Sequence, residues 1–181
     1  DSLVKEKQKD INGSLQQISQ LKEQNNKIQE KIIKNVRKIP PGNPPAGRLY
    51  ILMFDHLQDL YQSLQLISES IVDHLSNFHS QPTKEYQKNS NEIEKALDGF
   101  ITSVCGQILH PDEIESRKIS EYHSQVLTLL NKSIDKSIAE IQLGEVGNRI
   151  GRLQLKLLLE TKDIVSTVNK MLDLHRDYHA H

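Results

Sequence analysis

The stretch from Arg48 to Phe78, RLYILMFDHLQDLYQSLQLISESIVDHLSNF, constrains the fold of this chain more than any other. Its apolar residues Tyr50, Met53, Phe54, Leu57, Leu60, Leu64, Ile67, Ile71, Leu75 and Phe78 recur at steps of three and four, the period of one helix face. One helix of roughly eight to nine turns, at ~3.6 residues per turn, is the reading that fits. Leu49, Ile51, Leu52, Tyr61, Leu66 and Val72 widen the stripe beyond a two-helix seam, so this helix is expected to touch at least two neighbours. It reads as the spine of a bundle.

The remaining segments carry the same period. Ile11, Leu15, Ile18, Leu21, Ile28, Ile32, Val36 and Ile39 form a narrower stripe over residues 1–39, with Asn25 where another apolar residue would fit. Pro40, Pro41, Pro44 and Pro45 interrupt the pattern, because proline lacks an amide donor and clashes with the preceding turn. Residues 40–47 are therefore read as a linker. Thr83 is placed as the cap of a helix running to about Ile108, with Tyr86, Ile93, Leu97, Phe100, Ile101 and Val104 inward. Asp112 caps the next, which carries Ile119, Tyr122, Val126, Leu129, Leu130, Ile134, Ile138 and Ile141 and stops near Gly144. A last helix runs from about Glu145 to Tyr178, with Val146, Ile150, Leu153, Leu157, Leu158, Ile164, Val165, Val168, Leu172 and Leu174 supplying the apolar contacts, and is expected to pair with the spine. Five helices on short connections predict an all-α, elongated, antiparallel up-and-down bundle.

At 181 residues the chain fits one domain, with a basic first helix over 1–39, the linker over 40–47 and a bundle core over 48–181. Hydrophobic residues make up 36% and aromatics 4%, with no Trp, which suits long amphipathic helices and disfavours strands. The net charge of -1 provides no global field to capture nucleic acid, so none is expected as a partner. The balance is uneven, however: residues 1–39 hold nine Lys or Arg against five Asp or Glu, leaving fourteen and nineteen of the chain's 23 and 24. A basic helix faces either an acidic bundle or a lipid surface. Cys105 is alone, which excludes a disulfide framework and a zinc-finger spacing. The longest apolar run, Leu49 to Phe54, is far short of the ~20 residues of a bilayer span. Because the chain opens on Asp1, it is expected to be a piece of a longer protein.

Two stretches resemble a known family. RLYILMFDHLQDLYQSLQLI followed by DHLSNFHSQP, and GEVGNRIGRLQLKLLLETKDIVSTVNKMLDLHRDY, resemble the PhoU-like domain attached to Pit-type inorganic phosphate transporters of Bacteroides-like bacteria. The pattern is carried by Tyr50, Phe54, Asp55, Leu57, Ser63, Leu64, His74, Asn77 and His79, and by Glu145, Val146, Gly147, Arg149, Leu159, Glu160 and Arg176. The resemblance implies a regulatory domain, not an enzyme, at the cytoplasmic face of the inner membrane. Its partner would be the transmembrane part of the same transporter, with homo-oligomerisation also open. Free-standing members of the family repeat a three-helix unit, whereas five helices are counted here.

PhoU-like proteins hold metal ions on carboxylates four residues apart. Asp55 with Asp59 and Glu69 with Asp73 match that spacing, as do Glu94 and Asp98, and i, i+4 side chains share a helix face. In the last helix Glu160 and Asp163 are three apart. A divalent or iron-type metal is thus one reading of Asp55, Asp59, Glu69, Asp73, Glu160 and Asp163, and a solvated acidic face beside Lys162 or Arg152 is the other. Arg149 clamps either an anion or a carboxylate of a neighbouring helix. His74, Asn77 and His79 suit capping of the spine, and His175, His179 and His181 lie near the terminus. Gly144, Gly147 and Gly151 make no nucleotide loop, since no strand precedes them.

Two other classes compete with a transporter regulatory domain. A di-iron bundle enzyme needs Glu-x-x-His pairs, and no Glu here is followed three residues later by His. A free-standing scaffold or phosphate-signalling protein, including a phosphotransfer module on His56 or His74, has no local sequence pattern in its favour.

Overall fold

The computed structural model describes residues 2–39, 44–76, 84–110 and 113–179. Among them every regular element is a helix: α1 (Ser2–Val36), α2 (Pro44–Ser76), α3 (Lys84–Leu109), α4 (Glu113–Gln142) and α5 (Asn148–His179). The all-α fold class expected from the periodicity is the observed one. Thr83 and Asp112, expected as caps, and Asn77, Phe78 and His79 lie outside the described residues.

The helix ends show where proline and glycine act. α2 begins at Pro44, four residues earlier than Arg48, so residues 44–47 belong to a helix and not to the linker. The first-turn amides of a helix have no acceptor within it, and the missing N–H of Pro44 and Pro45 therefore costs nothing there. α1 tightens as it closes, with Lys38 N donating to Asn35 O at 2.9 Å and Ile39 N to Val36 O at 3.1 Å. α4 closes on Gly144, whose φ is 71°. Gly144 N donates to Ile141 O at 3.1 Å and Glu145 N to Glu140 O at 3.0 Å, the paired bonds of a Schellman motif, and the left-handed residue between them favours glycine. Gly147 O then accepts from Gly151 N at 3.0 Å as α5 starts.

The chain forms two compact units. One comprises Asp1–His79 with Asp173–His181, and the other Ser80–Leu172. The division falls after α2, not at the proline stretch. Of α5, only the residues from Asp173 group with α2, so a pairing of α2 with the whole of α5 is a feature of neither unit.

In the first unit α1 and α2 form a hairpin joined across its seam by Asn25 and Gln58. The second unit is a three-helix antiparallel bundle. Gly99 faces Tyr122 between α3 and α4, while Ile141 faces Gly151 and Asn131 meets Lys162 between α4 and α5. Its core is built at steps of three and four from Ile93, Ala96, Phe100 and Val104 on α3, continues through Ile119, Val126 and Leu130 on α4, and ends on Leu158, Ile164, Val165, Val168 and Leu172 of α5. Phe100, Val126, Leu130, Val165 and Leu172 are completely enclosed. The His123 ring packs against Phe100 at a 42° tilt with centroids 5.6 Å apart, so this histidine is part of the packing.

The first unit differs. Among the described side chains, Ile32 is the one buried apolar residue of α1 and Ser63 the one buried residue of α2. Every other apolar side chain described on the expected spine is half-buried or exposed. Ile138, expected inward on α4, is 41% exposed.

Candidate functional site

α2 places Asp55, Asp59, Glu69 and Asp73 on one solvent-facing side, all four exposed. The reason is angular: with ~100° per residue, positions 55 and 73 are five turns apart and in line, with 59 and 69 close on either side. Asp59 and Glu69 of this row already have a local engagement. His56 Nδ1 stands 3.7 Å from Asp59 Oδ2, and Gln65 Nε2 donates to Glu69 Oε1 at 2.6 Å. The pair at 55 and 59 lies roughly 15–20 Å along the axis from the pair at 69 and 73, at ~1.5 Å per residue, so no single ion can bridge them. On α5, Glu160 is half-buried and Asp163 exposed.

A divalent cation of the hard kind takes about six oxygen ligands. Among the described residues no three His, Cys, Asp or Glu side chains converge, so each carboxylate pair gains no third ligand of those types there. The donor sets at Asp55–Asp59, Glu69–Asp73 and Glu160–Asp163 do not complete a metal shell of that kind. Arg149, at the first turn of α5, is exposed.

The second unit holds polar groups that periodicity did not flag. A cavity of about 10 Å³ opens between Asn89, Ser90 and Ile93 of α3, Ser133, Lys136, Ser137 and Glu140 of α4, and Leu158 of α5. Room for about one water molecule is all that this volume represents. Lys136 Nζ and Glu140 Oε1 lie 3.8 Å apart at its wall. Gln154, one turn before Leu158 on the same α5 face, is 2% exposed, and neither its Oε1 nor its Nε2 has a hydrogen-bond partner. A shallow groove of about 360 Å³ runs between α3 and α4, lined by Glu92, Lys95, Ala96, Tyr122, Gln125 and Leu129.

The small cavity does not admit an organic substrate. Cys105 is exposed, away from the core positions of its own helix. What the arrangement offers is surface: an acidic row on α2, and an apolar stripe on the same helix that the chain's own core leaves partly open. One sequence signal does point to a polar contact across the α1–α2 seam. Asn25 breaks an otherwise apolar stripe, and its side chain is the one bonded to Gln58.

No helix among the described residues is long and apolar enough to cross a membrane. Comparison of the chain with family models, with curated proteins and with solved structures gave no match.

Proposed function

We propose that this chain is a PhoU-like regulatory interaction domain that passes phosphate status to a phosphate transporter at the cytoplasmic face of the inner membrane. The observation that carries this reading is the state of α2. It has the widest apolar stripe of the five helices, yet its described apolar side chains are at best half-buried while α3, α4 and α5 hold nearly the whole core. A helix with apolar area to spare gains by exchanging cover with a partner, at roughly 25 cal/mol per Å² of apolar surface removed from water. The partner in this reading is the transmembrane part of the same transporter, and α2 also carries one of the two stretches that resemble the family. Signal transmission then works through helix packing. It requires no bound metal.

The test is phosphate uptake by cells carrying the full-length gene, with Leu57→Ser and Leu64→Ser introduced together on the half-covered side of α2. The full reading frame is expected to contain several apolar stretches of ~20 residues. Uptake is expected to lose its response to external phosphate while helical content is kept. A reading frame without such stretches, or unchanged regulation in the folded variant, sinks the proposal.

A further inference from the structure

Between Glu30 and Asp55 the chain contains no acidic residue, although 24 of its 181 residues are Asp or Glu. A stretch of that length would carry about three at the chain's average frequency, and it carries five cations instead: Lys31, Lys34, Arg37, Lys38 and Arg48. All five are exposed. They sit where α1 ends and α2 begins, so the loop end of the α1–α2 hairpin is a cationic tip on a chain whose net charge is -1.

The spacing is unfavourable for the helix by itself. Lys27 and Lys31 are four apart and Lys31 and Lys34 three apart on α1, positions at which like charges repel across a turn. Glu23 relieves Lys27 at 2.6 Å and Glu30 stands four residues before Lys34, but no acid follows Glu30 until Asp55. A local cost of this kind is expected where a ligand of opposite sign offsets it.

Apolar groups accompany the charge. Ile33 is 57% exposed, Ile51 54% and Tyr50 39%. The Asn25–Gln58 bond fixes their level: eight residues beyond Asn25 is Ile33, and eight residues before Gln58 is Tyr50. Three exposed apolar side chains thus stand at the same end of the hairpin as five cations.

We propose that this loop end is a docking surface for an anionic lipid bilayer. Ammonium and guanidinium groups pair with headgroup phosphates, isoleucines enter the boundary of the acyl chains, and a tyrosine ring suits the interface between them. Surface docking of this kind requires no spanning helix. Nucleic acid fits less well, since a strand binds through stacked aromatic rings, of which the tip offers Tyr50 alone, and gains nothing from exposed isoleucines. The inference stands on charge and exposure at the tip and does not depend on an attached transporter.

Flotation of the full chain with vesicles tests it, using phosphatidylcholine alone and phosphatidylcholine with about one third phosphatidylglycerol. Binding is expected only with phosphatidylglycerol, falling as salt shortens the screening length to roughly 8 Å and below. Lys31→Gln, Lys34→Gln and Lys38→Gln together lower the partition coefficient about a hundredfold, at roughly fivefold per charge. Lys132→Gln with Lys170→Gln, exposed on the second unit, leaves it unchanged. Ile33→Ser lowers what binding persists at high salt. Melting curves of each variant verify folding, since exposed substitutions of this type rarely shift stability. The proposal is overturned by equal binding to both vesicles, by no binding at low salt, or by equal loss in the control variant. It is equally overturned if the triple variant abolishes binding to single-stranded RNA, or self-association, in a chain that does not float with vesicles.

Discussion

Asn25 and Gln58 exchange hydrogen bonds across the α1–α2 seam: Asn25 Nδ2 donates to Gln58 Oε1 at 3.2 Å, and Gln58 Nε2 donates to Asn25 Oδ1 at 2.8 Å. Asn25 is 8% exposed, so the pair is closed off from most solvent on the α1 side. Such reciprocal amides fix the register of two helices whose apolar stripes alone would tolerate a slide. Replacing one member strands the other. Asn25→Leu is expected to cost about 1–3 kcal/mol, whereas Asn25→Leu with Gln58→Leu recovers most of it, because no polar group is left without a partner. Urea denaturation of the two singles and the double gives the coupling energy, and additive effects would rule out the pairing.

Gln154 presents the opposite case. Its side chain is 2% exposed inside the second unit, and both ends of its amide are without a partner. A buried amide left unbonded costs roughly 1–3 kcal/mol relative to an apolar group of the same shape. Gln154→Met, close in length and volume, is therefore expected to raise the unfolding free energy by about 1–2 kcal/mol. A loss of stability in this variant would mean that the amide does bond in solution.

The periodicity of α3, α4 and α5 made much of the second unit legible before any coordinates. Ile93, Phe100, Val104, Ile119, Val126, Leu130, Leu158, Val165 and Leu172 were all placed inward by steps of three and four, and all are buried. The same rule overstated α2. A wide apolar stripe says how much surface a helix can bury, not how much its own chain supplies, and α2 has only Ser63 buried among its described residues. Ile138 failed for a related reason: at the edge of a stripe, one step of about 100° decides between core and solvent. Carboxylate spacing placed Asp55, Asp59, Glu69 and Asp73 on one face, as helix geometry requires, but spacing along one helix cannot supply a third ligand from another. The cavity walled by Asn89, Ser133 and Ser137 has no signal, since isolated polar residues on α3 and α4 become a cluster only when those helices pack.

On α1, Lys27 Nζ lies 2.6 Å from Glu23 Oε1. Its hydrogen bond first, and its charge second, hold the Glu23 carboxyl below its ordinary value. The sign follows: a lowered folded-state pKa gives a contribution present above the ordinary carboxylate range, lost as pH falls through the lowered value. Both groups are exposed, so the effect belongs to local helix order and is screened by salt. Carboxyl titration by NMR is expected to show Glu23 returning to its ordinary midpoint in Lys27→Met. An unchanged midpoint would remove the pairing as its cause.

Two glycines should respond to the same substitution with opposite sign. Gly13 lies inside α1 with open space around the position of an added methyl, so Gly13→Ala is expected to stabilise by about 0.5–1 kcal/mol through helix propensity and a less flexible unfolded chain. Gly99 lies inside α3 against α4, where an added Cβ would stand 2.6 Å from Tyr122 Cε1 and 2.9 Å from Cδ1. The ring must move before a methyl fits, and overpacking of that kind costs roughly 1–3 kcal/mol, more than propensity returns. Gly99→Ala is therefore expected to lower the denaturation midpoint, and Gly99→Ala in a Tyr122→Ala background to raise it relative to Tyr122→Ala alone. If both glycines gain stability as alanine in the otherwise native chain, the close approach of α3 to the Tyr122 ring is wrong.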